Sequence, residues 1–136
     1  MLGVLALGAA VAVEPALLEG LPTSEVRLAF HGQEQVCSGP MLVDVAARMG
    51  APSRGDMRGA ALSMVVVAEA RDGYRAVFSL GELDPLLGKA QVIVATSCNA
   101  AALNEDDGPF RLAVAGDVRG ARSVRQLASL RLEQVE

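Results

Sequence analysis

The feature that most constrains this fold is a series of short apolar runs, each cut off by a turn. "SEVRLAF" (24–30), "ALSMVVVAEA" (61–70), "YRAVFSL" (74–80), "AQVIVAT" (90–96) and "PFRLAVA" (109–115) are rich in β-branched and aliphatic residues. Most are too short for a stable helix, and their composition suits a pleated sheet. Between them stand turn residues: Gly32 after His31, Asp72-Gly73, and Gly116-Asp117. No helical segment separates consecutive runs in a regular βαβ rhythm. The chain therefore reads as α+β, mostly β: about seven short strands in a mixed or antiparallel sheet system with a few short helices.

"SEVRLAF" alternates Val26, Leu28 and Phe30 with Glu25 and Arg27, the period of a half-buried strand. "HGQEQ" reads as a hairpin loop, with the return strand starting at Val36-Cys37. "SGPMLVDVAARMG" (38–50) is the clearest helix. Pro40 suits its first turn and Gly50 its stop, and Leu42, Val45, Ala46 and Met49 share one face. Residues 61–70 read as one strand, Arg71–Tyr74 as a tight turn, "GELDP" as a turn or short helix, and 97–108 as a polar loop. "LASLRLEQV" closes the chain as a strand.

Composition narrows the function. The chain has 136 residues, 51% of them apolar, so it can bury one real core as a single domain spanning 1–136. Aromatics are only 3%, which leaves an aliphatic core and no base-stacking platform. The net charge of −4 argues against a nucleic-acid partner. Cys37 and Cys98 form no CxxC motif and have no metal-spaced histidine, so each reads as a half-buried strand cysteine and no metal is expected. The opening residues are apolar and include Ala10-Val11-Ala12. They lack a preceding Lys or Arg and are interrupted by Gly3 and Gly8, so Val4–Leu7 reads as a buried strand rather than an export signal. Glu14 and Pro15 stop the run before it could span a membrane, so no membrane insertion is expected. Pro15–Glu19 reads as a helical turn.

One segment departs from the acidic average. After the strand at 110–115, "GDVRGARSVRQL" gathers Arg119, Arg122 and Arg125 around Gly116 and Gly120. Glycine lets backbone N–H groups come close to a ligand, and guanidinium forks suit phosphate. Two readings are open. The arginines serve a phosphate-bearing small molecule, or they are solvated and paired with Asp107, Asp117 or Glu133. Other polar residues have plainer readings: Asp84 caps a turn, Tyr74 packs across strands with a pocket hydroxyl as its lesser reading, His31 sits at a hairpin tip, Glu69 faces outward, and Glu105–Asp107 form a solvated loop.

"SGPMLVDVAARMG", "DGYRAVFSLGELDP", "GPFRLAVAGD" and "RGARSVRQLASLRLE" together resemble the molybdopterin-binding domain of the sulfite-oxidase-like oxidoreductases. These segments lie within residues 22–136. The most specific, Gly120-Ala121-Arg122-Ser123-Val124-Arg125, is similar to a family segment that lies against the pterin cofactor. Arg111 matches a family arginine. The resemblance implies a cofactor site of Arg111, Arg122, Ser123, Val124 and Arg125, binding molybdopterin or a related pterin. Relatives are often periplasmic.

The departures carry weight too. Phe30 stands where catalytic members place the cysteine that ligates molybdenum. Asp106 stands where the family has a histidine, and an aspartate there would repel a phosphate; the family's long middle insertion has no counterpart. The resemblance thus implies a small standalone pterin-binding domain without molybdenum catalysis and with no catalytic residue to name. Two alternatives stay open: a molybdopterin-dependent oxidoreductase subunit acting with a protein partner, and a structural or interaction domain of the same fold with its pocket empty.

Overall fold

The computed structural model describes residues 7–30 and 32–135, the side chain of Phe30 excepted. Most of the expected Val4–Leu7 strand, and His31, lie outside that range. Leu7 itself is in an exposed turn, not a buried strand.

The chain runs through β1 (Val11–Ala12), α1 (Pro15–Leu18), β2 (Thr23–Phe30), β3 (Gln33–Pro40), α2 (Leu42–Arg48), β4 (Met64–Ala70), β5 (Arg75–Ser79) and α3 (Leu80–Leu83). It continues through β6 (Val92–Ala95), β7 (Ser97–Cys98), β8 (Ala101–Ala102), β9 (Arg111–Val114) and β10 (Leu127–Gln134). Short 3₁₀ turns cover Arg54–Asp56, Gly59–Ser63 and Gly120–Arg122. The fold is mostly β with few helices, and among the described residues every strand pairing is antiparallel.

Among the described residues the strands form three sheets, ordered β1-β10-β4-β5, β2-β3-β7-β8 and β6-β9. Side-chain alternation explains how they stack. All eight residues of β6 and β9 are buried, so this pair is covered on both faces. Val92, Val94, Leu112 and Val114 enter the main core, with Leu42, Phe78 and Leu130 among its members. Ile93, Ala95 and Ala113 point the other way, onto Val26, Leu28 and Cys37. Arg111 shares the parity of Ala113 and pairs in register with Ala95, so it faces the β2–β3 sheet at the end of this second core.

Gly39 is what lets β3 cross β6. A Cβ built there would lie 1.9 Å from the Val94 carbonyl oxygen. Just beyond, Met41 bridges to Ile93.

Several local expectations are corrected. Pro40 ends β3 instead of opening a helix, because residues 38–40 continue the ladder with β2; α2 begins at Leu42 after Met41. Leu42, Val45 and Ala46 are buried on the expected face, and Met49 is half-buried. The return strand starts at Gln33, so the hairpin loop is tighter than expected. Ala61–Ser63 belong to a 3₁₀ turn ahead of β4. The loop at 97–108 contains the β7–β8 hairpin, whose tip residues Asn99 and Ala100 both have left-handed φ, 51° and 61°.

The largest correction concerns the cysteines. Cys37 and Cys98 are direct register partners on β3 and β7 and form a disulfide, with Cα atoms 4.0 Å apart. With sixty-one positions between them and no spacing motif, nothing local announced the pairing.

Candidate functional site

The segment from Gly116 to Gln126 joins β9 to β10. Gly116, at φ 91°, turns the chain out of β9. The 3₁₀ turn at 120–122 then returns it along the β9 edge. There the Leu112 amide donates to the Val124 carbonyl, and the Val114 amide donates to Ser123 Oγ. Ser123 is also fixed through its own amide, which donates to the Gly120 carbonyl. Its carbonyl accepts Arg111 Nη2 at 3.4 Å. Ser123 therefore braces Arg111, and its amide is already engaged. Val124 is 1% exposed, with its side chain in the main core.

The three arginines named from sequence divide two and one. Arg111 is 7% exposed, with its Nε donating to the Leu112 carbonyl. Its Nη1 lies 3.9 Å from Asp107 Oδ2. Arg125 approaches the same carboxylate, Nη1 to Oδ1 at 3.6 Å, while most of its side chain stays in solvent. Burial pushes the Arg111 guanidinium below its ordinary pKa; Asp107 raises it, and Arg125 lowers it further. Two cations thus meet over one carboxylate.

Arg122 turns away from this pair. Its Nε and Nη2 make a bidentate contact with Asp117 at 3.0 and 2.9 Å, and its Nη1 reaches both oxygens of Glu82. The hydrogen bond to Asp117 is the main cause of a pKa raised above the ordinary arginine value; burial opposes it and Glu82 adds to it. Glu82 in turn belongs to the capping box of α3, accepting from the Ser79 amide while Ser79 Oγ accepts from the Glu82 amide. Arg122 thus ties the 3₁₀ turn to α3, and the structure does not bring it together with Arg111 and Arg125.

Two clefts flank the segment and share Gly120, Ser123 and Arg125. The smaller, about 320 Å³, has Arg111, Asp107, Leu28, Gln33 and Gln35 on its walls. The larger, about 410 Å³, has Asp72, Tyr74, Asp106, Val124 and Gln126. Phe30 closes β2 in register with Gln33 of the smaller cleft. Asp106 lines the larger one.

Tyr74 follows the lesser of its two readings: it is half exposed and its hydroxyl donates to the Ala121 carbonyl at the cleft edge. Sequence reasoning missed other parts of these walls. Gln126, at φ 48°, holds the acidic turn through Nε2 to the Glu105 carbonyl and its amide to the Asp107 carbonyl. Gln33 and Gln35 had no local signal, since only the sheet stacking brings them to Arg111. Asp84 does cap a turn, through Oδ2 to the Leu86 amide. It is also fully buried and accepts the Arg54 amide through Oδ1. Glu69 is half-buried and bridges Arg75 and Arg131.

Among the described residues, no group of His, Cys, Asp and Glu is arranged to hold a metal ion, and no helix is long and apolar enough to cross a membrane. No protein-family model matches the chain, and no curated protein matches it.

Proposed function

We propose that this chain is a small pterin-binding-like domain whose anion site is the Arg111–Arg125 pair. The observation that carries the reading is the charge imbalance at the smaller cleft. Two guanidiniums face the single Asp107 carboxylate at 3.9 and 3.6 Å, longer than a close charge-assisted hydrogen bond. A phosphate would supply the missing negative charge, and the neutral Gln33 and Gln35 beside it add no repulsion. The neighbouring cleft offers the acceptors Asp72 and Asp106, which suit the amino and ring N–H donors of a pterin. In this reading Ser123 and Val124 shape the passage between the two, and Arg122 is a brace.

The donor set fits the pterin half of molybdopterin better than the metal half. Phe30 offers no ligand, and both cysteines are held in the disulfide. A molybdenum centre would need a thiolate that this form does not present. The oxidoreductase-subunit alternative would therefore require a partner to complete the chemistry.

A second reading has its own support. All three arginines already have carboxylate partners, as expected of a domain of this fold whose site is lost. The two readings are separated by purifying the protein from a host that makes pterin cofactors and assaying fluorescence after oxidative release. Near-stoichiometric pterin supports the binding domain, and its absence supports the lost site.

A further inference from the structure

We infer that the Cys37–Cys98 bond is a redox-operated clasp. Reduced by a dithiol, it frees the 97–104 arm from β3 and loosens the hold of Asp107 on Arg111 and Arg125. The arm is poorly held apart from the sulfur bridge. Its two strands have two residues each, and both residues of β8 are exposed at the sheet edge. Its tip places Ala100 at φ 61°, a conformation that costs an L-residue with a Cβ. Beyond the short ladder pairing of Ser97 with Ser38, its ties to β3 include the Asn99 amide to the Val36 carbonyl, the Val36 amide to Asn99 Oδ1, and Thr96 to the Ser38 carbonyl. Segments with so few buried contacts open locally at low cost.

The arm is also wired to the cleft at both ends. Cys37 shares its face of β3 with Gln33 and Gln35, which line the cleft of Arg111. Downstream, the arm runs into the turn in which Asn104 accepts the Asp107 and Gly108 amides. With the bridge open, that turn keeps its bonds to Gln126 and the approach of Asp107 to Arg111 and Arg125.

The chemistry is thiol–disulfide exchange. A thiolate of the dithiol attacks Sγ of Cys98, the less buried residue of the pair, and Cys37 leaves as the thiolate. The reductant's second thiol then attacks the mixed disulfide. Two electrons and two protons end on Cys37 and Cys98, and the dithiol becomes a cyclic disulfide.

The effect on Asp107 rests on the anion-site reading; the opening of the arm does not. Both are tested on the full chain, oxidised, reduced with dithiothreitol, and as the Cys37→Ala/Cys98→Ala double variant. Amide hydrogen exchange should accelerate at least about tenfold at 96–104 in the two unbridged forms, with β4 and β10 unchanged. Unchanged exchange in the arm, or equal loss across β4 and β10, overturns the clasp. Inorganic phosphate should bind the reduced protein about threefold more tightly than the oxidised one, the scale of one partly exposed ion pair. Equal affinities overturn the coupling to Asp107. Phosphate binding to neither form removes the anion site, while the exchange result still decides the clasp.

Discussion

Arg122 lies over the ring of Phe78, its Cζ 4.9 Å from the ring centroid. Phe78 is fully buried, so this guanidinium caps the main core while Asp117 and Glu82 hold it in place. All three contacts are intramolecular, and all point to stability.

Arg122→Ala should therefore cost about 1–2 kcal/mol in urea unfolding, from the lost cation–π contact and partly exposed ion pairs. Phosphate binding by the folded variant should be unchanged. A variant of native stability that no longer binds phosphate would return Arg122 to the ligand site.

Leu42 is fully buried at the start of α2. Leu42→Ala should destabilise by about 2–5 kcal/mol. A loss below about 0.5 kcal/mol in equilibrium unfolding would mean that α2 does not pack as described.

Gly39→Ala tests the crossing of β3 over β6. The added methyl meets backbone at 1.9 Å, which no rotamer can relieve. The expected cost is at least about 3 kcal/mol, at the upper end for overpacking, and it would show as poor folding or a much lowered urea midpoint. A variant as stable as the parent would place the strands further apart.

Ala100→Gly should act in the opposite direction. Ala100 occupies left-handed backbone at the β7–β8 tip, where glycine is unstrained. A gain of about 0.5–1 kcal/mol is expected, reduced from the full strain by glycine's greater unfolded-state entropy. Destabilisation would contradict the turn geometry.

The parts of this fold legible in the sequence are those governed by local alternation. Val26 and Leu28 against Glu25 and Arg27 gave β2, Asp72-Gly73 gave the β4–β5 turn, and the spacing of Leu42, Val45 and Ala46 gave the buried face of α2. The misreadings came where tertiary pairing overrode a local signal. Pro40 looks like a helix opener yet ends a strand because Thr23 pairs with it. The polar stretch around Cys98 looked like a loop because two-residue strands leave no periodicity, and their partner lies sixty-one positions away. The site divided in the same way. Arg111, Ser123, Val124 and Arg125 stood in one recognisable region, but the direction of each arginine depends on carboxylates. Asp107 and Asp117 are near in sequence; Glu82 is forty positions from Arg122 and could not be read as its partner.

The central claim is that Arg111 and Arg125, sharing Asp107, form an anion site. It is tested most directly by thermal unfolding of the oxidised protein against inorganic phosphate, alongside Arg125→Ala. Arg125 is exposed, so its removal should leave the fold intact. The parent should gain stability as phosphate rises, by about 2.7 kcal/mol at a concentration one hundred times Kd, and Arg125→Ala should lose most of that gain. A parent indifferent to phosphate, or a variant that responds as strongly as the parent, would contradict the account.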